Sequence, residues 1–281
     1  MSGVEQLTQR INNEFEMGRI SLPSLPEIAL KVRKAVNDEN KSLRDLANLI
    51  QTDPSITARV IQISNSPLYK TATVARDCYS AISKLGMKTT RDIVTCLVLH
   101  NMFTTTYTLV RKRLETVWKE SSYVAAISSV LARNVAQLEV DTALLAGLVH
   151  NIGKLPILKY IEEFPELLEN EEQLDLLLET MHQAIGVKIL QKWGFDSDIQ
   201  KIPEQATDFM RDEAETVSYC DVVIVAKIHS LFGSPQATKL PVLTDVPSFK
   251  KLALSDEGAE ASMNVLQEAK QDIQTVMRSL V

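Results

Sequence analysis

TALLAGLVHNIGKLPILK, residues 142–159, is apolar on almost every helical turn and decides how the rest of the chain can be organised. In its middle His150 and Asn151 stand side by side, followed by Gly153 and Lys154. No other stretch places a potential metal ligand so deep in an apolar helix. A helix that is hydrophobic all round belongs in the centre of a fold. We therefore expect residues 142–151 to form a central, buried helix.

The composition is that of a soluble globular protein. The chain has 281 residues, of which 45% are hydrophobic and 23% charged, enough for one large or two moderate domains. A net charge of -6 and a pI near 5.4 argue against nonspecific nucleic-acid binding, which depends on a surplus of Lys and Arg. The same acidity gives no reason to expect an anionic membrane as partner.

The cysteines and the N-terminal residues indicate the cellular compartment of the protein. Cys78, Cys96 and Cys220 are far apart and form no Cys-x-x-Cys pair, so we expect free thiols rather than a zinc site or disulfides. The first ten residues are too polar for a signal peptide. No apolar run reaches the roughly 20 residues that a membrane helix needs. We expect a cytoplasmic protein.

Helical signals recur along the whole chain, and no strand-like alternation stands out. Residues 4–19 form an amphipathic pattern, and further apolar helices are predicted at 182–193, 199–210 and 217–232, with a final helix from 257. Helix starts are predicted at capping residues that precede an apolar stripe: Ser24 with Glu27, Ser42 with Asp45, Asp53 with Pro54, and Thr89 with Asp92. We therefore expect an all-α fold.

Several motifs occur in the order and spacing of one family. Four of them lie in the first half of the chain: Leu22-Pro-Ser-Leu-Pro26, Asp53-Pro-Ser-Ile-Thr-Ala-Arg-Val60, Asn65-Ser66-Pro67 and Ala81-Ile-x-x-Leu-Gly86. Two others lie in the second half: Ala146-Gly-Leu-Val-His150 with Gly153-Lys154, and Gly186 through Trp193-Gly194. With these motifs the chain resembles an HDOD domain (HD-related output domain) over about residues 20–255, the first four matching its N-terminal half and the last two its HD-like half.

The resemblance implies a fold and a function. It implies an N-terminal helix (1–19), an N-terminal helical subdomain (20–106) and an HD-like helical subdomain with the C-terminal helix (107–281), packed on each other. HDOD domains are all-helical bacterial signalling modules that act as output or scaffolding elements through protein contacts. Their HD-like half usually lacks the metal ligands of true HD phosphohydrolases. The resemblance thus implies a non-catalytic signal-transduction module.

HD phosphohydrolases use imidazole and carboxylate ligands to hold metal ions that activate a water for attack on a phosphate. The resemblance lets each ligand position be checked. A glutamate replaces the first histidine, the His-Asp pair has an asparagine, and residues 203–205 (Pro-Glu-Gln) stand where a His-His pair is expected. The vestigial positions are Glu120, His150, Asn151, His182 and Asp221. We expect no catalytic residue, metal or other cofactor here; the alternative is a divalent-metal-dependent phosphohydrolase with low metal occupancy.

Three further expectations concern ligands and partners. Lys154 is a candidate to bind an anion, although after Gly153 it could equally interact with helix-end carbonyls. A signalling protein, whose identity the sequence does not give, is expected to bind near Asn65 and Ser66, although this turn could equally be a helix stop. A homodimer through the acidic stretch 162–179 or the final helix is left open.

Residues 42–65 also resemble a helix-turn-helix, which makes a DNA-binding regulator the weakest alternative. The outward residues of the second helix would be Ser55, Thr57, Arg59 and Gln62, and only one of these is basic. DNA readers surround such a helix with phosphate-binding cations. We therefore expect no nucleic-acid partner.

Overall fold

The computed structural model describes residues 3–18, 20–69, 71, 73–162, 170–252, 267 and 269–280. Regular structure in these residues is entirely helical, as predicted. The α-helices are α1 (Gly3–Glu16), α2 (Glu27–Val36), α3 (Leu43–Ile50), α4 (Pro54–Ser64), α5 (Cys78–Leu85), α6 (Met87–Leu99), α7 (Thr108–Ala132), α8 (Val140–Val149), α9 (Lys154–Ile161), α10 (Glu171–Lys192), α11 (Ser197–Gln200), α12 (Ile202–Gln205), α13 (Tyr219–Leu231), α14 (Pro247–Lys251) and α15 (Lys270–Ser279). Short 3-10 turns occupy Pro67–Tyr69, His100–Phe103, Pro235–Lys239 and Leu243–Asp245.

Two of the predicted helix starts are confirmed. Ser42 and Asp45 form a reciprocal capping box at α3, in which each side chain accepts a hydrogen bond from the other's backbone N–H. The Asp53 side chain accepts hydrogen bonds from the backbone N–H groups of Ser55 and Ile56 at the start of α4, with Pro54 in the first turn. These local signals work because the first N–H groups of a helix have no partner inside it.

The other two predicted starts are wrong. Helix α2 begins after Pro26, without a side-chain cap from Ser24. Helix α6 begins at Met87, two residues before the predicted box at Thr89, because Gly86 takes a φ of 83° and turns the chain sharply between α5 and α6. Such a φ strongly favours glycine. Asp92, the predicted partner in that box, is instead buried inside α6.

Helix boundaries in the second half also differ from the prediction. Helix α10 is continuous from Glu171 to Lys192, so the acidic stretch and the following apolar segment, predicted as separate, share one helix from residue 171 onward. Residues 163–169 of the acidic stretch and 257–266 of the predicted final helix lie outside the described residues. The remainder of the final helix is α15, whose Ile273 and Val276 are buried.

The central helix α8 is buried on all sides, as its sequence predicts. It packs against α7, α6 and α13. A Cβ atom at Gly147 would lie only 2.5 Å from the Cα of Ala125, so α8 and α7 are in direct backbone contact. This close crossing positions the end of α8, where His150 lies.

The two halves of the chain meet at two of the family motifs, Leu22-Pro-Ser-Leu-Pro26 and Trp193-Gly194. The indole N–H of Trp193 donates to the carbonyl oxygen of Pro23 at 2.9 Å, and the ammonium of Lys192 donates to that of Leu22 at 2.7 Å. Arg33 donates to the carbonyl oxygen of Gly194 at 2.8 Å and lies over the ring of Phe195. The Leu-Pro segment and the end of α10 therefore join the two halves.

Asp141, in the first turn of α8, makes stability pH-dependent. Its side chain is buried, its Oδ1 has no partner among the described residues, and burial raises its pKa to about 7. Near pH 4 the folded chain holds the proton and about half of the unfolded chains do, so the difference in proton binding affects stability little, whereas above pH 7 the folded chain must bury a charge. We expect Asp141→Asn to stabilise the protein at pH 8 by about 1–3 kcal/mol and to have little effect near pH 4. Chemical denaturation at both pH values measures this, with the exposed Asp198→Asn as control; an equal effect at both would contradict it.

Candidate functional site: a pocket of histidines and lysines

His150 lies at the end of α8 with its ring almost fully buried. Its Nδ1 lies 2.6 Å from the carbonyl oxygen of Gly147, and burial lowers its pKa well below the ordinary value, with Lys227 adding to the effect. The ring is therefore neutral at pH 7, and Nδ1 carries the proton donated to that carbonyl. This tautomer leaves Nε2 with a free electron pair. Asn151 beside it is also buried, and its amide carries no charge.

His182, on α10, has the same arrangement. Its Nδ1 donates to the carbonyl oxygen of Leu178 at 2.9 Å, and burial followed by the charge of Lys154 lowers its pKa to about 4. Its Nε2 is buried and has no hydrogen-bond partner among the described residues. Both histidines are thus held in the orientation in which imidazoles usually bind metals.

Lys154 points into the same region. Its ammonium is buried and pairs with the Glu179 carboxylate at 2.5 Å. Burial would raise the pKa of Glu179, but the attraction of Lys154 outweighs it and the pKa is lowered. The sequence allows two partners for the Lys154 ammonium, a bound anion or the carbonyl groups at a helix end. In the structure its partner is instead a carboxylate on α10.

Lys227 is the residue that sequence reasoning missed. It lies on α13, and its charge acts on His150, His182 and Glu179. Its side chain is partly accessible, yet desolvation of the ammonium lowers its pKa to about 8. It forms no ion pair with the residues that the structure describes, although Nζ lies 5.7 Å from the ring centre of Phe209. A single lysine in an otherwise apolar helix was the signal that could have revealed it.

Glu120 and Asp221 do not complete a ligand set. Glu120 is exposed on α7, and partial desolvation raises its pKa, assisted by nearby Glu179. Asp221 is buried but already bound: Ser218 donates its N–H at 2.9 Å and its hydroxyl at 2.6 Å to Oδ2, while Ser248 donates to Oδ1 at 2.7 Å. Asp221 is the partner of the cap residue Ser218 in the capping box at the start of α13, a role that its predicted match to a metal ligand does not include.

The donor atoms and charges of this site can be compared with those that a divalent cation prefers. Across the described ranges no group of three or more His, Cys, Asp or Glu side chains is arranged to hold a metal ion. The two imidazoles offer neutral nitrogens, but Lys154 and Lys227 bring positive charges that repel a dication. The buried carboxylate expected after His150 is a neutral amide. The site holds both histidines in a ligand-like orientation, and the charge of its Glu179 carboxylate is offset by the paired ammonium of Lys154.

Asn65, predicted as a partner-binding residue, is engaged within the chain. Its side-chain amide donates to the carbonyl oxygen of Ala75 at 2.8 Å, and its Oδ1 accepts the N–H of Ala75 at 2.9 Å. The pair of bonds fixes the loop after α4 to the start of α5. Ser66, the other predicted contact, lines a cavity beneath the C-terminal helix.

We expect Asn65→Ala to lower the free energy of unfolding by about 1–3 kcal/mol, because two hydrogen bonds are lost and the Ala75 peptide is left without partners. Urea denaturation measures the change. Asn101→Ala, at an exposed asparagine without such bonds, is the matched control. Equal stabilities of the two variants would contradict a bracing role for Asn65.

The surfaces that the sequence suggests for DNA binding and for dimerisation partly contact other residues of the same chain. Thr57 in the predicted reading helix donates its hydroxyl to the carbonyl oxygen of Ile50. The apolar face of α15, considered as a dimer surface, packs against α7 of the same chain. On α10, Leu174, Leu177 and Leu178 are buried and Leu176 is exposed.

No helix in the described parts of the chain has the length and apolar character needed to cross a bilayer.

Comparison with known proteins agrees with this architecture. The structure is similar to a crystal structure from Shewanella amazonensis SB2B, described as a "Putative metal-dependent phosphohydrolase", with a TM-score of 0.81 and 26% identity over 100% of both chains. It is also similar to an HDOD domain protein with unknown function from Geobacter sulfurreducens, with a TM-score of 0.68 and 21% identity over 98% of this chain and 97% of that one. The fold is thus that of the all-helical proteins related to the HD phosphohydrolase superfamily.

The sequence places the chain more narrowly. The HDOD domain family matches residues 22–209, and the chain belongs to this family. A protein of Treponema pallidum (strain Nichols), described as uncharacterized, is 22% identical over 192 residues, which are 63% of this chain and 36% of that protein. The match therefore spans little more than a third of that relative's length.

Proposed function

We propose that this chain is a non-catalytic signal-transduction module that acts by binding a partner protein. The observation that carries the proposal is the charge of the pocket: Lys154 and Lys227 lie among the histidines, while Asn151 supplies no charge. Hydrolysis of a phosphate ester by an HD-type site needs metal-bound water. Without metal-bound water, a protein of this fold can still act by binding other proteins through its surface.

The surface that we propose for the partner lies beside the loop braced by Asn65. Val74 on this loop is 71% exposed and Tyr79 at the start of α5 is 42% exposed. The guanidinium of Arg44 lies 5.0 Å from the centre of the Tyr79 ring. Exposed tyrosine and arginine are enriched at the centres of protein interfaces. Asn65 thus supports this surface by holding its loop, rather than by contacting the partner.

Site-specific photocrosslinking in the native host tests the location. A photoreactive amino acid at position 74 or 79 is expected to capture one discrete protein, and the same amino acid at Met210, which is 52% exposed on the HD-like half, is expected not to. Arg44→Glu should reduce capture at position 79 while leaving the fold intact. Identical adducts from all three positions, or none from 74 and 79, would contradict this surface.

A divalent-metal-dependent phosphohydrolase is the competing function. It is supported by the free Nε2 atoms of His150 and His182 and by the description of the Shewanella protein, to which this chain is 26% identical. Turnover of a phosphodiester and a phosphomonoester with added Mn²⁺ tests it. Activity abolished by His150→Ala and retained in Lys188→Ala, an exposed control on α10, would establish the enzyme and overturn the non-catalytic proposal.

A further inference from the structure

A cavity of about 190 Å³ lies under the C-terminal helix, away from the histidine pocket. Its walls come from α4, α6 and α8 and from α15, which lies beyond the residues that match the HDOD family. The apolar wall includes Ile63, Ile93, Leu97, Leu144 and Val276. An apolar cavity of about 150 Å³ in another protein is large enough to hold benzene. The volume thus suits a molecule with one ring or a short alkyl chain.

One residue of the cavity wall has a buried hydroxyl group that lacks a partner among the described residues. Tyr69 is one of its lining residues, and the hydroxyl oxygen is buried without a hydrogen-bond partner in the described parts of the chain. Buried polar groups are almost always bonded, so each exception calls for an explanation. A phenolic O–H can donate one hydrogen bond, and an acceptor atom of a bound molecule would satisfy it.

The two arginines of the cavity differ in their partners. Arg133 pairs with Asp272 at 2.6 Å, which joins the end of α7 to α15. Arg278, about one turn and a half beyond Asp272 along α15, is exposed at the rim and forms no ion pair or side-chain hydrogen bond with the described residues. Arginine presents several N–H donors in a geometry that suits a carboxylate. Among the described residues, the rim thus carries one arginine that no carboxylate pairs with.

From the apolar walls, the Tyr69 hydroxyl without a described partner and the guanidinium of Arg278 at the rim, we infer a binding site for a small amphipathic monocarboxylate. The apolar part of the ligand lies against Ile93, Leu97 and Val276. Its carboxylate accepts hydrogen bonds from Arg278 and Tyr69. The site shares no lining residue with the cluster of His150, His182, Lys154 and Lys227, whereas Tyr69 in its wall belongs to the segment that also carries Val74.

Binding of benzoate and hexanoate to the full chain tests the inference, with benzyl alcohol as the uncharged comparison. We expect saturable binding of both carboxylates by calorimetry, a rise in Tm with concentration, and methyl NMR shifts at Ile93 and Val276. A charge-assisted contact to Arg278 should make benzoate bind about tenfold more tightly than benzyl alcohol. Absence of saturation at millimolar concentrations, for both carboxylates, would overturn the site.

Variants separate this site from general binding to the surface. Arg278→Gln should remove the advantage of benzoate over benzyl alcohol, and Tyr69→Phe should weaken benzoate several-fold. Arg76→Gln, at an exposed arginine outside the cavity, is the matched control and should change nothing. Cys96→Met, which adds volume at the cavity wall, should weaken all three probes. Unchanged affinities in Arg278→Gln and Cys96→Met would overturn the inference even if the probes bind elsewhere.

Discussion

Replacement of Asn151 and Lys227 together by aspartate is expected to produce a divalent-metal site where the native chain has none of comparable affinity. The double variant adds two carboxylates and removes one ammonium beside two neutral imidazoles. We expect its affinity for Mn²⁺ to exceed that of the native chain by about a hundredfold or more, because carboxylates supply both the ligand atoms and the charge.

The physical basis is the arrangement of the histidines. His150 and His182 each donate Nδ1–H to a backbone carbonyl, so their Nε2 atoms are already oriented as ligands. The charges of Lys154 and Lys227 both reach the two imidazoles, but Lys154 is paired with Glu179, whereas Lys227 forms no ion pair with the described residues. Isothermal titration with Mn²⁺ measures the gain, and Asn151→Asp alone should show a smaller one.

Lys188→Asp, at an exposed lysine on α10, controls for the replacement of a lysine by an aspartate, and Lys188→Asp combined with Asn101→Asp matches the whole change in net charge. If the double variant binds Mn²⁺ no more tightly than this control, the positive charge of Lys227 and the missing carboxylate at position 151 are not what limits the metal affinity of the native chain. The variant is also expected to keep the helical content of the native chain, because both positions lie beside solvent-accessible or polar groups of the pocket.

Gly153→Ala is expected to have the largest effect on stability. A Cβ atom at this position would overlap the carbonyl oxygen of His182 and lie 2.7 Å from the backbone N of Gly186. Neither atom belongs to a flexible side chain, so α9 and α10 would have to separate. Overpacking of a rigid site costs about 1–3 kcal/mol and sometimes more, and we expect about 3 kcal/mol or more here.

Thermal and urea unfolding measure this loss, with Gly18→Ala as comparison. Gly18 has a positive φ of 70° and open space around it, so its substitution should cost only about 1–2 kcal/mol from backbone strain. The same displacement should alter the NMR signals of His182. Equal stabilities of the two glycine variants would contradict the backbone contact between α9 and α10.

Much of the helical framework could be predicted because its signals are local. The capping box of Ser42 and Asp45 and the Asp53-Pro54 pair each satisfy free N–H groups at a helix start without help from distant residues. The start of α6 could not be predicted in this way. Its position depends on the turn at Gly86, and the competing signal at Thr89 was equally strong in the sequence.

The residues of the pocket could be predicted only in part, because some of their positions depend on how distant helices pack. His150 and His182 lie on helices whose order the family motifs define. Helix α13 is apolar on every side, so periodicity does not show which of its residues faces the pocket, and Lys227 was missed. Asp221 was assigned there instead, although Ser218-Tyr-Cys-Asp221 carries the same capping pattern as Ser42 and Asp45.

The divalent-metal content of the native protein, purified without chelator and measured by elemental analysis, tests the central claim most directly. The proposal of a non-catalytic module predicts less than about a tenth of an equivalent of any transition metal per chain, because the lysines oppose a dication and the expected carboxylate is absent. About one equivalent, lost in His150→Ala and retained in Lys188→Ala, would contradict it and establish a working metal site.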